Sequence, residues 1–136
     1  MAVVALVDGV FTLNAVDLSD HVKSVTLELT AQELDATSIT DDYDVTVIGR
    51  RSGVLNVEFM DDFASGKVDP TVAAAFAAGA LVPFSLKATS AATSATNPAY
   101  SGSVIPSSNQ VGGAQGELLM KSLAWKTSGT VSRGTA

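Results

Sequence analysis

The side chains in this sequence best equipped for chemistry are carboxylates. Glu28 and Glu58 each occupy a polar position in an alternating segment, and Asp41, Asp42 and Asp44 crowd into four residues. Two carboxylates about 5 to 10 Å apart would serve glycoside hydrolysis. Paired strands would set Glu28 and Glu58 facing each other, but on a wet sheet face such carboxylates are ordinarily just solvated. The three aspartates offer oxygen ligands for calcium, yet the segment lacks the glycine and the distant glutamate of an EF-hand loop. His21 is the only histidine and cysteine is absent, so nucleophile–base pairs lack their parts. No serine sits in Gly-x-Ser-x-Gly, and no glycine-rich phosphate loop follows a strand. Arg50 and Arg51 are too few for a nucleic-acid footprint, and Trp125, Tyr43 and Tyr100 are too scattered to stack bases. The expectation is a protein that is not an enzyme and holds no cofactor or metal.

The elements that position these groups are strands. In Val54–Met60, Leu55, Val57 and Phe59 alternate with Asn56 and Glu58; in Lys23–Thr30, Val25, Leu27 and Leu29 alternate with Ser24, Thr26 and Glu28. Period two puts one set on a buried face and the other in water. Between these strands lies a long polar arm, residues 31–44, with acids Glu33, Asp35, Asp41, Asp42 and Asp44. Val45–Ile48 reads as a returning strand, and Gly49–Gly53 as a turn whose Arg50 and Arg51 meet acidic surface on a neighbour. Upstream, Val3–Val7 and Val10–Leu13 read as a hairpin closed by Asp8–Gly9. Downstream, Asp69 suits an N-cap, Pro70 the first helical position and Gly79 the residue after the helix; the spacing predicts a stripe of Val72, Ala75, Phe76 and Gly79. Leu81–Ala88 is a strand with Pro83 marking an edge or a start. Tyr100–Ile105 and Glu117–Thr127 follow, with Lys121 in phase with Leu119, Leu123 and Trp125. The tail, residues 128–136, is polar, contains Arg133, and reads as a free end or an arm that orders on contact. The fold class expected is mainly β: an antiparallel β-sandwich or partly closed barrel of six to eight strands with one short flanking α-helix.

The 136 residues fit a single domain, 1–136. Apolar residues make up 46% and charged residues only 16%, below the ordinary quarter, which points to surface covered by other subunits. Residues 1–62 hold twelve of the fourteen acids and three of the eight bases, a net of −9, against +3 for the remainder. Unlike halves favour head-to-tail association, unless the fold mixes them. No apolar run reaches the length of a membrane span. The apolar start lacks a basic flank and meets Asp8, so synthesis in the cytoplasm is expected.

Several stretches resemble one family in order along the chain. Leu13-Asn-Ala-Val-Asp-Leu-Ser-Asp-His-Val22 running into Val25-Thr-Leu-Glu28, then Leu34-Asp-Ala-Thr37, Val57-Glu-Phe-Met-Asp-Asp-Phe63, Ser94-Ala-Thr-Asn-Pro-Ala-Tyr-Ser-Gly102 and Ser132-Arg-Gly-Thr-Ala136 are similar to small tail tube (major tail) proteins of long-tailed bacteriophages, particularly actinophages. The likeness lies in the series rather than in any one motif. It departs at Ala73–Ala80, which is richer in alanine.

The resemblance implies a structural virion protein, made in the bacterial host and located in the tail. Homohexameric rings would stack into a hollow tube, with a shared barrel around the lumen and the arm reaching an adjacent subunit. Tape measure protein and other tail proteins would be partners, and DNA would pass during ejection without specific binding. Shared sheet edges remove an aggregation hazard, and an acidic lumen repels DNA weakly. Glu28, Asn56 and Glu58 are therefore expected to face the lumen. Glu33, Asp35, Asp41, Asp42, Asp44, Arg50, Arg51 and Arg133 are expected at contacts between subunits. The alternatives are a tail terminator, head–tail connector or capsid decoration protein, the tube of a contractile injection system, or a small β-sandwich binding module.

Overall fold

The computed structural model describes residues 3 and 5–135. Eight strands and one α-helix follow in the order β1 (Val10–Leu13), β2 (Val16–Asp17), β3 (Val22–Asp35), β4 (Thr46–Met60), α1 (Val68–Ala78), β5 (Val82–Lys87), β6 (Ala99–Val104), β7 (Met120–Lys126) and β8 (Ser132–Gly134), with a 3-10 turn at Ser19–His21. They form two antiparallel sheets, β2-β1-β5-β6-β8 and β3-β4-β7, which pack as a sandwich and do not close into a barrel. Each sheet joins strands of the acidic half, β2-β1 or β3-β4, to strands of the basic half, β5-β6-β8 or β7.

The core lies between the sheets. Leu55, Val57 and Phe59 of β4 and Leu123 and Trp125 of β7 meet Phe11 and Leu13 of β1, Val82 and Phe84 of β5, and Val104 of β6. Phe11 and Phe59 pack at 5.9 Å between ring centroids, tilted by 50°. The alternation of β3 and β4 is as their sequences dictate: Val25 pairs Val57 and Leu27 pairs Leu55 on the core face, while Ser24–Glu58 and Thr26–Asn56 pair on the outer face. α1 joins the core through Val68, Thr71, Val72 and Ala75, and Gly79 ends it in the left-handed region at φ 66°.

Several expectations are corrected. The opening hairpin is β1–β2, turning at Asn14–Ala15 with positive φ at both residues, not at Asp8–Gly9. The described residues of Val3–Val7 form no strand, and Met1, Ala2, Val4 and Ala136 lie outside the described residues. Gly49–Gly53 is not a turn. β4 runs through it, because β3 extends to Asp35 and keeps pairing; one extra β4 residue between Ala31↔Arg51 and Glu33↔Ile48 is taken up as a bulge. The helix starts two residues earlier than Asp69 predicts: Lys67 is the N-cap, and Pro70 stays tolerable in the first turn, where its missing N–H is no loss. Its buried stripe begins at Val68, which leaves Phe76 exposed. Pro83 sits near the start of β5, a central strand rather than an edge. The tail orders within its own sheet, as β8 pairs Arg133 with Tyr100 of β6.

Candidate functional site

The surface that the chain leaves unfinished is the three-stranded sheet and its arm. Among the described residues β3 pairs only with β4, so its outer edge, 14 residues long, has no strand partner there. On β7 the outer edge is met by the preceding loop: the Ser122 N–H donates to Gln110 Oε1 at 3.2 Å, and the Lys126 carbonyl accepts from the Ile105 N–H at 3.0 Å. The outer face carries Glu28, Asn56 and Glu58, joined by Lys126, which lies one strand over from Val54 in the row of Glu28. Glu28 and Glu58 share this face but do not face each other. Glu28 pairs Val54 and Glu58 pairs Ser24, four residues apart along β4, about 13 Å.

The arm is a two-stranded extension of β3 and β4 beyond the sandwich, paired out to Asp35↔Thr46. Its tip builds its own turn. The Ser38 N–H donates to Asp41 Oδ2 at 2.8 Å, and the Val45 N–H donates to Thr37 Oγ1 at 2.7 Å. The Thr37 hydroxyl and N–H hold Asp35 below the usual carboxylate range. Glu33, Asp35, Asp41, Asp42 and Asp44 all lie on this arm and are exposed, but Asp41, Asp42 and Asp44 do not converge into a cluster of metal-ligating groups. Arg50 and Arg51 are exposed at the foot of the arm. Arg133 is exposed on β8 of the other sheet, in a different part of the molecule. The arm also exposes Leu29, Leu34, Ile39, Tyr43, Val45, Val47 and Ile48, an apolar set that the polar reading of this stretch missed. Val45 and Val47, two residues apart, with Leu34 paired to Val47, are the signal that would have found it.

Two charged groupings tie the body together. His21 lies between two carboxylates, with Nδ1 2.7 Å from Asp20 and Nε2 2.8 Å from Asp62. The hydrogen bond to Asp20, then that to Asp62, raise the His21 pKa against the opposing effect of burial. Asp20 is lowered first by that bond, and Asp62 first by the N–H of Ala64. With both ring nitrogens on carboxylates, His21 ties the start of β3 to the residues that follow β4. Lys121, which the sequence placed in phase with the core, is wholly buried. Its Nζ donates to Asn109 Oδ1 and to the Gln110 carbonyl, each at 2.6 Å, and lies 3.6 Å from Asp69 and 3.9 Å from Asp61. It binds the loop before β7 to the first turn of α1 and the end of β4.

No protein-family model matches the sequence, and no curated protein is significantly similar to it. The fold does match solved structures. A chain in the virion of a native gene transfer agent particle superposes with a TM-score of 0.76 at 16% identity, covering 94% of this chain and 96% of that one. A chain in the tail of an empty gene transfer agent particle, refined with C6 helical symmetry, gives 0.71 at 16% identity over 85% and 83%. A chain in the six-fold symmetrised baseplate of the anti-feeding prophage gives 0.59 at 12% identity over 99% and 98%. At these identities the likeness establishes a shared fold. Among the described residues, no helix is long and apolar enough to cross a membrane.

Proposed function

We propose that this chain is a structural, non-enzymatic protein of a phage-type tail, assembling as six-membered rings that stack into a hollow tube. The observation that carries the reading is the unfinished sheet: a 14-residue edge on β3 with no strand partner among the described residues, continued into an arm whose apolar side chains stay largely exposed. An exposed edge of that length is an aggregation hazard unless another strand takes it. A ring in which each copy's sheet continues into the next answers that hazard, and the contact is head-to-tail. The fold shared with a chain of a six-fold tail supports the symmetry.

In that assembly the outer face of β3-β4-β7 lines the channel, with Glu28, Asn56 and Glu58 turned to the passing DNA. Carboxylates there deny the phosphate backbone the counterion release that drives its binding. The arm, with Glu33, Asp35, Asp41, Asp42, Asp44, Arg50 and Arg51, lies between subunits, and Arg133 meets a neighbour through the other sheet. Tape measure protein and other tail proteins are the partners, and the virion tail is the location. The coverage of 99% against the baseplate chain favours, as a second reading, a ring of an injection-type apparatus.

Electron microscopy of the purified protein, with its solution mass, separates these outcomes. Hollow six-fold tubes support the tail reading, and single short rings support the second. A monomer at every concentration, with and without added tail-tip proteins as a nucleus, contradicts both.

A further inference from the structure

The foot of the arm carries a hollow that the chain itself leaves open. Leu29–Ala31 of β3, Arg50–Ser52 of β4 and the stretch Thr127–Val131 enclose a groove of about 780 Å³. An adjoining hollow shares both arginines and adds Lys126. Arg50 lies at the bulge, and both arginines border the groove. No carboxylate lines either hollow, and among the described residues Arg50, Arg51 and Lys126 form no ion pair. The apolar part of the wall is Leu29, Ala31 and Val131.

The complementary surface is at the other end of the same hairpin. Ile39 and Tyr43 are 105% and 87% exposed, and Asp41, Asp42 and Asp44 flank them. Asp41 is engaged in holding the turn through Ser38, whereas Asp42 and Asp44 have no cationic partner among the described residues. The tip cannot reach its own foot. The ladder from Ala31↔Arg51 to Asp35↔Thr46 holds it about 13 Å or more away.

We infer that the groove at the foot of the arm receives the arm tip of a second copy of this chain, with Ile39 and Tyr43 against Leu29 and Val131 and the aspartates against Arg50, Arg51 and Lys126. This rests on the assembly reading above and names the contact that would propagate it. Tip to foot joins unlike surfaces, so every copy has one of each to offer and the contact repeats from copy to copy. A nucleic-acid backbone would satisfy the three cations but leave the apolar walls uncovered.

The chain has no cysteine, so a disulfide trap reads the contact directly. Thr40→Cys marks the tip and Thr130→Cys the groove, both at exposed positions. Mixed under mild oxidation, the two variants are expected to give a cross-linked heterodimer. Arg50→Glu with Arg51→Glu in the groove partner should cut its yield about tenfold or more. Asp42→Lys with Asp44→Lys in the tip partner should restore it, Asp41 being spared because it holds the turn. A yield indifferent to charge reversal, or one that the swap does not rescue, overturns the inference. So does retention of duplex DNA by the wild-type protein that the arginine reversals abolish while the cross-link persists. Micrographs of the same mixtures keep the two readings apart. Tubes that ignore the reversals leave the tail reading standing without this contact, and charge-dependent cross-links without rings or tubes leave the contact standing without the tail.

Discussion

Strand β4 passes through two regions built on different terms. From Gly53 to Phe59 every second residue is buried, and Leu55, Val57 and Phe59 lie in the core shared with β1, β5, β7 and α1. From Thr46 to Ser52 none is buried, although Val47 and Ile48 are as apolar as Val57 and Leu55. The same contrast runs along β3, where Val25 and Leu27 pack against the core while Leu29 and Leu34 do not. An apolar side chain gains about 1.5 to 3 kcal/mol when it leaves water. In the body that gain holds the chain's own sheets together; in the arm it is available only to another molecule. In the proposed assembly, stability and association are thus carried by separate stretches of one hairpin.

The largest expected effect is in the body. Trp125→Ala removes a side chain 2% exposed, packed within the core, whose Nε1 donates to the Ser108 carbonyl at 3.1 Å. Urea unfolding should show a loss of about 4 kcal/mol. Next comes Lys121→Ala, which leaves the Asp61 carboxylate buried without its cation; a loss of about 3 kcal/mol is expected. Adding Asp61→Leu to Lys121→Met should recover much of it, because the costly state is the half-removed pair.

The arm should behave in the opposite way. Ile39→Ser with Tyr43→Ser should change unfolding stability by less than about 0.5 kcal/mol while abolishing association measured by sedimentation. A loss of stability on the scale of Trp125→Ala would break the comparison, since it would mean the arm packs on its own body.

The smallest effect is at His21. Its folded-state pKa is raised above the ordinary 6.5, so its contribution is full below that value and fades as pH rises through the raised one. Asp20 and Asp62 are lowered from 3.8, so theirs is full above that value and is lost as pH falls through their folded values. Between these limits the clasp is complete. The melting temperature should decline modestly as pH passes above the histidine range, and His21→Gln should remove that decline.

The body was legible because its pattern is periodic. The alternations at Val25–Leu27, Leu55–Phe59 and Val82–Leu86 each face the core in the phase their sequences set, Leu29 lying beyond the body and exposed, and Lys121 is in line with Leu123 and Trp125. Local signals misled where pairing overruled them. Asp8–Gly9 is a better turn dipeptide than Asn14–Ala15, yet the chain turns at the latter because β1 must also reach β5. Two glycines around Arg50 and Arg51 looked like a turn, but a continuous partner in β3 carries the strand across them. β8 was hidden because three polar residues have no periodicity to read, and pair only because β6 offers an edge. For the candidate site, the charges were visible as types and positions. The groove that both arginines border and the exposure of the apolar arm depend on register, which no window of sequence contains.

Hydrogen exchange, compared between dispersed and assembled protein, tests the division between body and arm most directly. The account predicts that amides on the free edge of β3 and along the arm, residues 29–35 and 46–52, gain protection on assembly, while those of Gly53–Phe59 facing β7 are protected in both states. An arm that exchanges as freely in the assembled protein as in the dispersed one would contradict it.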